Sequence, residues 1–243
     1  MSLSQLELER YDRQLKIIGV EGQEKLKKSR VLVVGAGGLG SPVLLYLAAA
    51  GVGELVVVDD GLVELSNLNR QILYRTSDIG KPKVDIAFER LRELNPHVKI
   101  TPIHKRADKQ LLEELVPSVD LVIDALDNWE TRFILNEICV KHRKPLIHAG
   151  VYGLYGQLLV VIPGITPCLQ CLLPRKPAET TGIPVLGPTP GVLGALQAVE
   201  AIKILTGYGK PALNKLIVYD GVNGEFTTLQ LSRNPKCPVC SGL

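Results

Sequence analysis

The chain has 243 residues, 46% of them hydrophobic and 22% charged, with a formal net charge of +3. This much apolar content builds a core without staples and excludes general disorder, and the near-neutral balance excludes a polyanion-binding surface, so no nucleic-acid partner is expected. The first nineteen residues are polar and charged with no apolar leader, and the longest apolar runs, about ten residues broken by Gly or Pro, are too short for a bilayer. No membrane association and a cytoplasmic location are expected.

In chain order, Arg30 to Val34 (RVLVV) reads as a buried strand that ends at glycines, and Ser41 to Ala50 as a helix of small residues. Glu54 to Asp59 is the second strand. Lys83 to Leu94 places Val84, Ala87, Phe88, Leu91 and Leu94 at helical spacing. Strands follow at Val98–His104, Asp120–Asp124 and Pro145–His148, with helices near Gln110–Leu115 and Trp129–His142. This alternation predicts an α/β fold of Rossmann-like type, its N-terminal half a parallel sheet covered on both faces. After Gly150 the pattern changes. Gly156–Ile162, Lys215–Tyr219 and Glu225–Leu231 read as antiparallel strands added to the same sheet, so the sheet is mixed. Gly182–Pro190 reads as a Gly/Pro loop leading into a helix at about Gly194–Leu205. One domain is expected over 1–243, with a first half at about 1–150 and a second at about 151–243.

Gly35, Gly37, Gly38 and Gly40 lie in a GAGGLG run between the first strand and the first of these helices. Glycines let backbone approach a phosphate closely, and the helix N-terminus turns free N–H groups towards the anion. Asp59, closing the next strand, is placed to accept from ribose hydroxyls. A Gly-rich turn chosen only for helix–strand packing is the alternative. The pattern indicates a nucleotide without saying which.

Ser66-Asn67-Leu68-Asn69-Arg70-Gln71 and then Gly80-Lys81-Pro82-Lys83 follow. Asn67, Arg70 and Lys83 together exceed what a dinucleotide needs, but they suit a triphosphate, whose charge must be neutralised as pyrophosphate leaves. Lys81 reads as a solvated loop charge. Further on, Asp124-Ala125-Leu126-Asp127-Asn128 falls at the carboxyl end of a strand, where open α/β sheets bind ligands. Asp127 there either holds Mg²⁺ on the phosphates or caps the following helix, and Asp124 is a candidate to satisfy backbone donors. Of the four histidines, His148 alone falls near this edge, and a structural role is expected for it.

The five cysteines are an odd count, which argues against a closed disulfide framework. Four form two Cys-x-x-Cys pairs, Cys168/Cys171 and Cys237/Cys240, enough for a tetrahedral Zn²⁺ site that ties the C-terminal segment back to the body. A redox dithiol is the alternative for either pair alone. Cys139 reads as a small buried hydrophobe.

These residues also carry a resemblance. Arg10-Tyr11-Asp12-Arg13-Gln14, the GAGGLG run, SNLNRQ, GKPKV, DALDN and the two cysteine pairs occur in this order across nearly the whole chain. The chain resembles the ubiquitin-activating-enzyme-like adenylyltransferases, among them molybdopterin-synthase adenylyltransferase, its thiamine-pathway relative and their archaeal counterparts. The resemblance implies ATP-dependent adenylation of the C-terminal glycine of a small ubiquitin-like sulfur-carrier or modifier protein ending in Gly-Gly. It implies a MgATP site formed by Gly38, Asp59, Asn67, Arg70, Lys83, Asp127 and Asn128, with Ser66 and Gln71 in the same motif. It further implies a homodimer in which Arg13 reaches the neighbouring subunit's phosphates. Arg13, Arg70, Lys83 and Asp127 are the expected catalytic residues.

Many relatives carry another cysteine between the first pair and the following helix, where it links covalently to the carrier. Here Leu172 to Gly191 contains none, and Thr180 and Thr181 stand near that place. Threonine is far less ionised and nucleophilic than a thiol. The expectation is a reaction that stops at the acyl-adenylate, with any sulfur donor a separate protein. Three rival readings are a nicotinamide-dependent oxidoreductase, which the glycine loop and Asp59 alone permit, a non-catalytic subunit that uses the fold only to bind a partner, and a tRNA-modifying relative of the same fold.

Overall fold

A computed structural model describes residues 2–179 and 182–243; Thr180 and Thr181, singled out above, lie outside the described residues. The chain runs α1 (Gln5–Arg10), α2 (Asp12–Lys28), β1 (Arg30–Val34), α3 (Gly40–Ala50), β2 (Glu54–Val58), α4 (Lys83–Leu94), β3 (Lys99–Ile103) and α5 (Lys109–Leu115). It continues through β4 (Leu121–Asp124), α6 (Trp129–Lys141), β5 (Leu146–Tyr152), β6 (Tyr155–Val161), α7 (Leu169–Leu172), α8 (Pro188–Thr206), β7 (Lys215–Asp220) and β8 (Glu225–Gln230).

All eight strands form one sheet in the order β3-β2-β1-β4-β5-β6-β7-β8. The first five are parallel, and β6, β7 and β8 are added antiparallel, as the change of pattern after Gly150 predicts. In β1, four of five residues are fully buried because helices cover both faces of the sheet, which is why the strand reads as an unbroken apolar run. On one face Val31, Val33, Leu55 and Ile123 pack with Leu44 and Leu47 of α3, Leu91 of α4 and Leu193 of α8. On the other, Leu32, Val34 and Val122 meet Leu112 of α5 and Leu135 and Ile138 of α6. Each such side chain contributes roughly 1.5–3 kcal/mol through removal from water.

Two regions depart from the sequence reading. The first 28 residues carry α1 and α2, to which no element was assigned. A capping box starts α1, with Ser4 accepting from the Glu7 amide and Glu7 accepting from Ser4. Gly19, at φ 69°, breaks the helical geometry inside α2. The helix expected from about Gly194 begins at Pro188, so Pro188–Pro190, read as loop, are its first turn. Proline fits there, where no N–H is needed and its fixed φ is already helical. Val185 forms a single parallel bridge to Gly153 just before this turn.

Candidate functional site

The chain from β1 turns towards β2, whereas the chain from β3 crosses to β4 on the opposite side, so the carboxyl ends of β1 and β4 diverge. A crevice of about 990 Å³ opens at this switch point. Gly35 takes φ 100°, and a Cβ on it would lie 2.5 Å from the Ala125 carbonyl oxygen, so only glycine lets the β1 and β4 loops meet. Gly40 is tighter still, because its Cβ would sit 2.1 Å from the Gly35 oxygen; it closes the loop without lining the crevice. Gly35, Gly37 and Gly38 do line it. No side chain caps the N-terminus of α3; the Ser41 N–H is taken by the Gly37 carbonyl at 2.9 Å and Pro42 has none, so the amides of Gly38, Leu39 and Gly40 are the ones left for an anion.

Asp59 binds this loop to the end of β2. Its Oδ2 accepts the Ala36 N–H at 2.8 Å and its Oδ1 the Gly61 N–H at 2.7 Å, leaving each oxygen a further lone pair. Arg70, Gln71 and Lys83 also line the crevice. Arg70 is half-buried, held by the Ser66 carbonyl at 2.8 Å and Asn69 Oδ1 at 3.1 Å. Among the described residues, neither Arg70 nor Lys83 forms an ion pair.

Other expected residues are not brought to the crevice. Asn67 is buried, and its Oδ1 accepts the Glu64 N–H at 3.1 Å, so it caps the single 3₁₀ turn Leu65–Asn67. Ser66 is exposed, its hydroxyl 3.3 Å from a Glu64 carboxylate oxygen. Arg13 is exposed on α2, outside the crevice of its own chain.

After β4, Asn128 is the N-cap of α6, its Oδ1 accepting the Thr131 N–H at 2.9 Å. This decides the capping question. Asp127 faces the crevice, and its carboxylate has no hydrogen-bond partner among the described residues. Asp124 is fully buried and accepts the Leu126 N–H at 3.1 Å and His148 Nδ1 at 2.6 Å, so His148 does hold structure together. Burial opposes the Asp124 charge, but Arg132 and His148 outweigh it and hold the carboxyl below its usual range. Burial holds the His148 pKa below its usual value, and because a carboxylate oxygen only accepts, Nδ1 is the donor in this bond.

Sequence reasoning missed several crevice residues, four of them polar side chains with a clear place in the fold. Arg132 and Gln157 line the walls, and Tyr155 lies on β6. Glu179, about fifty residues from its partners, accepts the Trp129 N–H at 3.1 Å and the Glu130 N–H at 2.7 Å, tying the segment after Cys171 to the start of α6. No local signal marks these residues, because the crossovers alone bring them here.

The four paired cysteines converge on the opposite end of the α6 face, their sulfurs all within 4.8 Å of one another. Sγ–Sγ separations are 3.4 Å for Cys171–Cys240, 3.7 Å for Cys168–Cys237 and 4.0 Å for Cys168–Cys171. A tetrahedron with Zn–S of about 2.3 Å has edges of about 3.8 Å, so the donor set and its spacing fit Zn²⁺. Cys139 is apart from this group and fully buried, which pushes its thiol pKa up.

A glycine loop, a strand-end acid and two cations without an ion pair among the described residues meet at one switch point, as in a nucleotide-binding α/β enzyme. The sequence matches the ThiF family over residues 11–239, and the chain belongs to that family. It is 45% identical to the SAMP-activating enzyme E1 of Haloferax volcanii over 249 residues, covering 99% of this chain and 91% of the relative. The sulfur carrier protein ThiS adenylyltransferase of Escherichia coli is 44% identical, with 96% and 95% covered. The crystal structure of E. coli MccB with ATP superposes with a TM-score of 0.84 at 27% identity, covering 95% of this chain and 74% of MccB. The chain is an adenylyltransferase, and the oxidoreductase and tRNA-modifying readings are not favoured.

Proposed function

We propose that the enzyme adenylates the C-terminal glycine of a small ubiquitin-like carrier protein ending in Gly-Gly, using MgATP and releasing pyrophosphate. The observation that carries this reading is the convergence of Arg70, Lys83 and Asp127 with the Gly35–Gly38 loop and Asp59 around one crevice. A C-terminal carboxylate, with a pKa of about 3.5, is already an ionised nucleophile at pH 7 and needs no base. Its oxygen bonds to the α-phosphorus as the bond to pyrophosphate breaks. The loop amides and Asp59 hold the nucleotide, and Arg70 and Lys83 stabilise charge on the departing group. Asp127 is the residue that would hold Mg²⁺, which supplies further charge neutralisation on the phosphates when bound.

The remaining assignments belong to the same reading. Residues 1–150 serve the nucleotide, and 151–243 carry the Zn²⁺ thiolates Cys168, Cys171, Cys237 and Cys240 and receive the carrier. Arg13, exposed and outside the crevice of its own chain, would act on a neighbouring subunit of a homodimer. Asn67 and Ser66 support the loop bearing Arg70, and Asn128 anchors the one bearing Asp127. The reaction stops at the acyl-adenylate, and a separate sulfur donor or acceptor consumes it. Among the described residues no helix is long and apolar enough to cross a membrane; a cytoplasmic location is part of the same proposal.

The test is ATP–pyrophosphate exchange across a panel of Gly-Gly-terminated carriers. Exchange is expected with at least one carrier, and Asp127→Ala should abolish it. Full activity in that variant would remove the metal assignment, and failure with every carrier would remove the substrate class.

A further inference from the structure

The residue just before Asp127 is gripped on both sides of its backbone by buried ionisable groups. The Leu126 N–H donates to Asp124 Oδ1 at 3.1 Å, and its carbonyl accepts from Arg132 Nη2. The same nitrogen donates to the Ala149 carbonyl of β5 at 3.0 Å, and Arg132 Nε lies 3.6 Å from Asp124 Oδ1. His148 Nδ1 holds the other Asp124 oxygen at 2.6 Å. From the opposite face of the sheet, Gln197 Nε2 on α8 donates to the carbonyls of Asp124 at 2.8 Å and Ile147 at 3.0 Å. Asp124, His148 and Gln197 are fully buried, and Arg132 is only 6% exposed.

Such a cluster is a costly way to join two strand ends. Burying ions carries a penalty of several kcal/mol each before pairing, and well-packed apolar side chains often serve stability as well or better. Here Asp124 and Arg132 hold the N–H and the carbonyl of one residue, and that residue precedes the carboxylate that faces the crevice without a partner among the described residues. Arg132 also sits over Trp129, its Cζ 5.0 Å from the ring centroid, and the Trp129 and His148 ring centroids are 6.3 Å apart. The clamp is therefore itself held in place by the first turn of α6.

We infer that Asp124, Arg132 and His148 are positioning residues that fix the Leu126 peptide and so aim the Asp127 carboxylate into the crevice. The inference rests on the reading of Asp127 given above. With Leu126 fixed, the direction of Asp127 depends only on its own backbone and side-chain torsions, and placement errors near 1 Å are enough to cost about a hundredfold in rate. The guanidinium is needed for its shape, because one nitrogen reaches two carbonyls while another faces the carboxylate. A lysine ammonium keeps the charge and loses that fork.

Arg132→Lys tests this with two measurements. In nucleotide-free full-length protein, hydrogen exchange of the Leu126 amide, which Asp124 holds, is expected to quicken at least tenfold while β1 amides keep their protection. In ATP–pyrophosphate exchange, kcat should fall at least tenfold with the KM for ATP within threefold of wild type. Unchanged amide protection, or a raised KM at unchanged kcat, would overturn the inference. Should Arg132→Lys lack a cooperative melt, His148→Gln, which touches only the second Asp124 oxygen, is judged by the same criteria with a threefold threshold. A wild type inactive with every carrier would sink the functional reading alone, and amide exchange would still decide the clamp.

Discussion

Asp59→Asn exchanges one oxygen for an amide nitrogen and strikes both the glycine loop and the nucleotide. In the wild type each carboxylate oxygen holds a backbone N–H, Gly61 at 2.7 Å and Ala36 at 2.8 Å. Asparagine keeps one acceptor and turns a donor towards the other N–H. Losing a charge-assisted bond costs about 1.5–3 kcal/mol, and an orphaned donor about 1–3 kcal/mol more. The site is half solvated, so values near the lower ends apply, about 2.5–3 kcal/mol together, which corresponds to roughly a hundredfold in an equilibrium constant. Titration calorimetry should show the dissociation constant for ATP raised by about that factor. Were the whole loss borne by global stability, the melting midpoint would fall by roughly 6–12 °C in a chain of this size. The strain is expected to relax in the Gly35–Gly40 loop instead, so the fall should be smaller. Binding of ATP within threefold of wild type would refute the assignment of Asp59 to both loop and nucleotide.

Purified protein should contain one Zn²⁺ per chain, measured by elemental analysis. Cys240→Ser should lose the metal and free the C-terminal segment to limited proteolysis, since Cys168 and Cys237 lie 69 residues apart in sequence. Acid should act through Glu7, whose burial is outweighed by Lys27 and Ser4 so that its pKa falls from 4.5 to about 2. A depressed carboxyl contributes stability above its unfolded value and loses it as pH falls through the folded one. About 3 kcal/mol should therefore disappear between pH 4.5 and 2, and urea unfolding of Glu7→Gln should show a shallower pH dependence there; parallel curves would refute it. Mass spectrometry after incubation with ATP and carrier should find no DTT-sensitive adduct, because Cys139, the one cysteine outside the four-thiol cluster, is fully buried with its thiol pKa pushed up. A covalent carrier–enzyme species would contradict the reaction ending at the acyl-adenylate.

The order of elements was legible from local pattern. The apolar runs of β1, β2 and β4 reflect burial on both faces, and the helical spacing of Val84, Ala87 and Leu91 matches the buried face of α4. The glycine run and cysteine pairs were legible because a tight turn and a pair of neighbouring ligands are each set by a few adjacent residues. Where a side chain pointed was less so. Asn67 reads like a phosphate ligand, yet it turns inward because the 3₁₀ turn needs an acceptor for the Glu64 amide. The start of α8 was hidden by three residues that look like loop until the helix fixes them as its first turn.

Composition and motif spacing by themselves determined that this is a mixed α/β chain with a glycine loop, a strand-end acid and two thiol pairs. Only the tertiary structure decided that Glu179 caps α6 and that Arg132 and Asp124 enclose the Leu126 peptide. The physical reason is range: turns and strand faces are fixed by residues a few positions apart. The crevice instead depends on how the crossovers bring distant segments within hydrogen-bonding distance.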